Sequence, residues 1–377
     1  MRLIYIATRP IPSERAHAIQ IAKMCEAFAL AGAEVELVVP RRAGLSNPKV
    51  SWDALGVTPL FKFVYLPALD CPWLGGWLAD RLLAWSFLIA LRLYLLSKAG
   101  AVLYVRSELL LPLVGMIDAA FPVFWETHQK PTPQAPFKRV MRRVSGVVPT
   151  TKYYAGELQG EWGLPSAMVL TAPNAVDLEA FLAAESREVA RQRLSIEPSR
   201  AVLMYAGLLD GWKGVETLYS AAQMLSPDVE TIVIGGFGKE RASQKARQGV
   251  RFLGRQPYAR LPHNQRAADV LVLPNTSSNI ENRYTSPLKL FSYMASGVPI
   301  VASDIPALRE IISEEDAYFV PPDDAAALAA GVRHVLTHTE EARRRALSAF
   351  AKVQSNTWRA RAQSILNFIR HRVGAVV

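Results

Sequence analysis

Short apolar runs alternate with stretches of helical spacing along the whole chain. The first run covers residues 3–7; Pro10-Ile11-Pro12 ends it, and Ser13 stands where a helix cap belongs. Ile21, Met24, Cys25 and Phe28 then recur at helical spacing, Gly32 marks the stop, and residues 35–39 form the next run. Strand, helix, strand in that order is the building block of a parallel sheet. Further strands are predicted at 101–105, 123–125, 147–150 and 168–171. A second series follows Pro173-Asn174, with strands at 201–206, 231–234, 251–253, 270–273, 300–302 and 318–320. Helices at 215–225, 287–296 and 325–336 lie between them, and one long helix runs from Glu340 to Arg372. At roughly 150 residues per domain, the 377 residues hold two domains. The pattern predicts an α/β protein of two doubly wound, Rossmann-like domains facing across a cleft, a favoured place for a ligand. The expected bounds are 1–173 and 174–355, with a C-terminal helix, 356–377, packing back on the first domain.

Charge changes this picture more than composition does. Lys and Arg number 43 against 33 Asp and Glu, a net +10, which points to an anionic partner. Six of those cations fall between Lys130 and Lys152 with no acidic residue among them. Two cysteines, Cys25 and Cys71, rule out a disulfide framework or a zinc cluster and fit a reducing compartment. The opening apolar run is too short for a signal peptide. The greasiest stretch, 82–96, is interrupted by Arg92 and falls short of the ~20 residues a membrane span needs. A cytoplasmic protein, soluble or resting on the inner face of a membrane, is expected.

Two stretches carry candidate chemistry. Residues 205–214 read Tyr-Ala-Gly-Leu-Leu-Asp-Gly-Trp-Lys-Gly, a strand entering a glycine-rich loop with Lys213 just ahead of a helix. Glycines admit a ligand close to the backbone, and a helix N-terminus offers free N–H groups to a phosphate. The spacing matches neither Walker A nor G-x-G-x-x-G, and a tight turn with a surface lysine is the plainer alternative. Ser286-Pro287 is a strong helix start and Gly297 a strong stop. His334 and His338 stand four apart, but with no third ligand in sight a solvated helix face is the better reading.

Longer blocks resemble a known family. Ser13-Glu14-Arg15-Ala16-His17-Ala18, Trp125-Glu126-Thr127-His128, Pro173-Asn174-Ala175-Val176-Asp177, Lys213-Gly214, Gly235-Gly236-Phe237-Gly238 and the block from Ser286 to Ser303 all resemble motifs of the retaining glycosyltransferases of family 4. The resemblance implies the two-domain GT-B fold and a nucleotide-diphosphate sugar as donor. It implies catalytic roles for His128 and Lys213, the lysine pairing with the diphosphate. Donor contacts would come from Gly207, Gly235, Gly236, Ser286, Leu288, Lys289 and Ser292 as well as Lys213, and Arg15 and Arg106 would meet acceptor or phosphate. The family's two glutamates fall at Tyr284 and Ser292, neither acidic, with Glu281 the nearest substitute for the first; its usual arginine falls at Leu208. No D-x-D pair stands near a strand end, so no metal ion is expected; the resemblance further implies transfer with retention and no cofactor, in cell-envelope or exopolysaccharide assembly. A non-catalytic relative that binds a nucleotide or a protein is the alternative.

Two surface features bear on the acceptor. Phe137, Val140, Met141 and Val144 form an apolar stripe beside Arg139, Arg142 and Arg143. Trp73, Trp77 and Trp85 crowd a leucine-rich stretch. Tryptophan and basic amphipathic helices favour membrane interfaces, so a glycan or lipid-linked acceptor at an anionic membrane is expected. A core-packed crossover helix is the alternative for the first feature. No motif for nucleic acid accompanies the charge, and no nucleic-acid partner is expected.

Overall fold

The computed structural model describes residues 1–42, 50–117, 119–131, 134–209, 213–236, 249–278 and 283–374. Phe237, Gly238 and Glu281 lie outside them. Two compact units form, one of residues 1–173 with 358–377, the other of 174–357.

The first unit holds a six-stranded parallel sheet, β1 (Arg2–Ala7), β2 (Glu34–Pro40), β3 (Lys62–Leu66), β4 (Val102–Arg106), β5 (Val123–Thr127) and β6 (Gly146–Pro149), in the order β3-β2-β1-β4-β5-β6. Its central strands are near-continuous buried apolar runs, as a sheet covered on both faces demands. The Ala16–Leu30 helix packs against the C-terminal Trp358–Gly374 helix. The second unit repeats the plan with β7 (Ala201–Ala206), β8 (Val229–Ile234), β9 (Val250–Gly254), β10 (Val270–Leu273), β11 (Ile300–Ser303) and β12 (Tyr318–Val320), in the order β12-β11-β10-β7-β8-β9. One apolar cluster fills each face of that sheet.

Several expectations are corrected. Residues 168–171 form no strand: Ser166–Met168 is a 3₁₀ turn, and Val169 makes an isolated bridge to Val147. The missing strand is β3, an edge strand with only Leu66 buried, so its apolar signature is weak. The closing helix is two helices, Thr339–Val353 and Trp358–Gly374, because Val176 pairs with Thr357 and interrupts the helical ladder. Ser13 caps nothing; the first helix begins at Ala16 with Arg15 as its N-cap residue. The segment 137–144 is a short helix, Ala135–Val140, and a 3₁₀ turn, Met141–Arg143, whose apolar stripe is buried in the core while Arg139, Arg142 and Arg143 stay exposed.

Backbone proximity shapes the second unit. Gly214, at φ 72°, lies so near β10's end that a Cβ there would sit 1.5 Å from the Pro274 carbonyl oxygen. Gly297 has a similar φ of 68° with nothing within 4 Å of an added Cβ. Gly297→Ala should therefore cost about 1–2 kcal/mol of stability from backbone strain alone, and Gly214→Ala considerably more. Urea unfolding of both variants measures this; equal losses would show that the Pro274 contact is not limiting.

Candidate active site

Each sheet has its topological switch between the first and fourth strands of its unit, β1/β4 and β7/β10, and open α/β sheets bind ligands beyond the carboxyl ends at that point. The sequence-predicted residues gather at these ends. Gly207, Lys213, Gly235, Gly236, Ser286, Leu288, Lys289 and Ser292 belong to the second unit, and Arg15, Arg106 and His128 to the first.

In the second unit the loops after β7, β8 and β9 are stitched together. Gly207 N–H donates to Ile234 O (2.9 Å), Leu209 N–H to Gly236 O (3.1 Å) and Gly235 N–H to Gly254 O (2.8 Å). A side chain at Gly235 would run into the Gly207 carbonyl at 1.8 Å. Lys289, in the first turn of the Leu288–Ser296 helix, lays its ammonium 4.1 Å from the centre of the Tyr205 ring and donates to the Tyr205 hydroxyl at 2.9 Å. That ammonium would be 3.2 Å from a Cβ on Gly207. Burial, and then the charge of Lys213, hold Lys289 well below the ordinary lysine range. Two cationic side chains thus converge beside a glycine loop, and no side chain caps the Leu288–Ser296 helix. Together they make a place suited to a polyanion.

Ser286 does not cap that helix; Pro287 is the N-cap residue and Leu288 the first helical one. The buried Ser286 instead accepts the Asn174 N–H on its hydroxyl (3.0 Å) and the Asn174 side-chain amide on its carbonyl (2.5 Å). The amide explains why the hydroxyl is not free to cap. Ser292 is fully buried, donating to Lys289 O (2.8 Å) and accepting from Gln265 Nε2 (3.1 Å). Tyr284 is buried and Leu208 is partly exposed.

The first unit places His128 just beyond β5, over a buried carboxylate. Glu126 accepts from Gln20 Nε2 (2.6 Å), from Arg361 (2.9 Å) and from the Tyr104 hydroxyl (2.7 Å), with the Tyr5 hydroxyl at 3.5 Å. His128 Nε2 lies 2.7 Å from its Oε1, and Arg106 Nε 3.1 Å from the same ring nitrogen. Burial opposes the charged carboxylate, but Arg361, His128 and Arg106 hold Glu126 well below the usual range. Burial and then Arg106 push His128 down to about 4. Burial, with Arg106, Arg9, Arg15 and His128, pushes His17 down to about 3. Both imidazoles are therefore neutral at pH 7. Arg15 itself is exposed. His334 and His338 stack on each other at 4.0 Å, and His334 meets Glu341 at 3.3 Å.

Sequence reasoning missed Tyr205, Gln265, Gln20, Arg361 and the role of Glu126. Only Glu126 left a signal, a carboxylate inside an otherwise buried strand.

Residues 200–338 match the family model described as glycosyl transferases group 1. That match lies within the second unit, whose sequence is similar to a group 1 glycosyltransferase domain. Over 334 residues the chain is 24% identical to a D-inositol 3-phosphate glycosyltransferase of Xylanimonas cellulosilytica, covering 79% of this chain and 77% of that protein. It is 30% identical over 207 residues to the phosphatidyl-myo-inositol mannosyltransferase of Mycobacterium tuberculosis, spanning about half of each, 52%. The structure of Anabaena HepE in complex with UDP-glucose superposes with a TM-score of 0.73 at 16% identity, covering 98% of this chain and all of that one, 100%. The likeness extends to the whole two-domain GT-B fold.

Because burial and Lys213 hold Lys289 toward its neutral form, a diphosphate beside the two lysines should restore its charge. Binding of a diphosphate-bearing ligand between the two lysines should take up protons and weaken as pH rises. Calorimetry in buffers of differing ionisation enthalpy reads this directly, and zero proton uptake would contradict the pairing of the two lysines.

Proposed function

We propose that this glycosyltransferase moves a sugar from a nucleotide-diphosphate donor to a hydroxyl acceptor with retention and without a metal ion. The observation that carries the reading is the convergence of Lys213 and Lys289 beside the Gly207 loop. Their charges and the open N-terminus of the Leu288–Ser296 helix supply what a departing diphosphate needs. The bond from the sugar's anomeric carbon to the diphosphate breaks, and the acceptor oxygen bonds to that carbon on the same face. The acceptor's proton passes to the leaving phosphate oxygen. UDP-glucose in the HepE structure supports a nucleotide sugar as donor.

The acceptor is anionic and lipid-linked, and the process is assembly of an envelope glycan or exopolysaccharide at the inner face of a membrane. The names of both curated relatives specify an inositol phosphate or a phosphatidylinositol. The Gly76–Leu95 helix adds a physical argument. It buries Leu83, Phe87, Leu88 and Leu91 yet also exposes Leu78, Trp85, Ile89 and Leu93, and Trp73 just before it is 76% exposed. Right-handed crossovers put this helix, between β3 and β4, on the same sheet face as the Arg139, Arg142 and Arg143 segment between β5 and β6. An apolar ridge and exposed arginines on one face suit an anionic bilayer surface. No helix among the described residues is long and apolar enough to cross a membrane.

A pseudo-transferase is the second reading, favoured by Ser292, whose hydroxyl is committed to Gln265 where the resemblance calls for a carboxylate.

A thermal-shift panel of UDP, GDP and ADP sugars should single out one base, followed by sugar transfer or donor hydrolysis. Lys213→Ala should lower the rate on the order of 10²–10³-fold; an unchanged rate would remove that residue from the site, and binding without turnover would favour the pseudo-transferase. Separately, the chain should float with phosphatidylserine-containing liposomes. A Trp73→Ser/Trp85→Ser double variant should float less; equal flotation of both would clear the tryptophan ridge of the role.

A further inference from the structure

Glu126 and Arg106 compete for one nitrogen of His128. A carboxylate 2.7 Å from Nε2 asks that nitrogen to carry a proton, whereas the Arg106 Nε–H at 3.1 Å asks it to be the acceptor. Both requests cannot be met by a neutral imidazole, which has one protonated nitrogen and one bare nitrogen. The shorter contact is the charge-assisted one, and its charge is secured from the far end of the chain. Arg361, in the Trp358–Gly374 helix, donates to Glu126 Oε1 at 2.9 Å and is anchored on the carbonyls of Pro173 (2.8 Å) and Ala172 (3.1 Å). Gln20 Nε2, at 2.6 Å from Oε1, and the Tyr104 hydroxyl, at 2.7 Å from Oε2, fix the plane of the same carboxylate. Nδ1 of His128 bonds to no described residue, and the side chain is 17% exposed.

We infer that Arg361 and Glu126 are positioning residues that hold the proton of His128 on Nε2 and present the bare Nδ1 as the hydrogen-bond acceptor for a substrate hydroxyl. The inference rests on the proposed sugar transfer only for what Nδ1 meets; the tautomer is a property of the unliganded chain. It gives the C-terminal helix a part in the chemistry through one guanidinium.

The test is nitrogen-15 NMR of the full chain labelled at histidine, with the His128 signals assigned by a His128→Asn difference spectrum. At pH 7 the wild type should carry its proton on Nε2 and none on Nδ1. Glu126→Leu takes the acceptor away and leaves the Arg106 Nε–H as the partner of Nε2, which should move the proton to Nδ1. Sugar transfer should then fall on the order of 10²-fold in kcat, with donor KM little changed. Arg361→Lys keeps a cation by the carboxylate and should keep the proton on Nε2. A wild-type proton on Nδ1, a proton unmoved in Glu126→Leu, or a moved proton with full kcat would each overturn the inference. The wild-type measurement needs only the His128→Asn variant, used for assignment, to fold. If the wild type transfers no sugar from UDP or GDP donors, the proposed activity fails, while the NMR result still decides whether Arg361 and Glu126 set the tautomer.

Discussion

One buried carboxylate organises the ligand end of the first unit. Glu126 is fully buried and takes donors from β1, from the first helix, from β4, from the residue after β5 and from the C-terminal helix. A buried ion pair of this kind contributes little net stability compared with an apolar replacement, but removing one partner costs about 3–5 kcal/mol. What it confers is position. Five side chains from separate elements must agree on one place, and His128 inherits its orientation from that agreement.

The second unit reaches comparable order by the opposite means. Its loops close on one another because side chains are missing where backbones meet, at Gly214 against Pro274 and at Gly235 against Gly207. With those loops shut, Tyr205 offers both ring face and hydroxyl to Lys289. Polar bonding fixes one site and steric vacancy the other.

Both sheets were legible in the sequence to the extent that their strands were buried on two faces. The central strands β1, β4, β7 and β10 stand out as uninterrupted apolar runs, whereas the edge strand β3, with one buried residue, does not. Glycines and lysines of the second site are local in sequence and could be read there. Ser286 misled because a serine before a proline looks like a helix cap, and only the distant Asn174 shows why its hydroxyl is spoken for. Likewise, nothing near Arg361 in the sequence hints at Glu126, since their encounter depends on a helix returning to the first unit. The arginines at 139, 142 and 143 were recognised as a charged face, but their apolar partners turned out to serve the core.

The chain's own order of synthesis gives that return a consequence. Residues 174–357 form a unit of their own, and Arg361 follows Glu126 by 235 positions. A nascent chain leaving the ribosome carries Glu126 without its guanidinium until the whole second unit has been made. The domain written first is thus completed after the second, its central charge neutralised only by a helix that emerges behind residues 174–357.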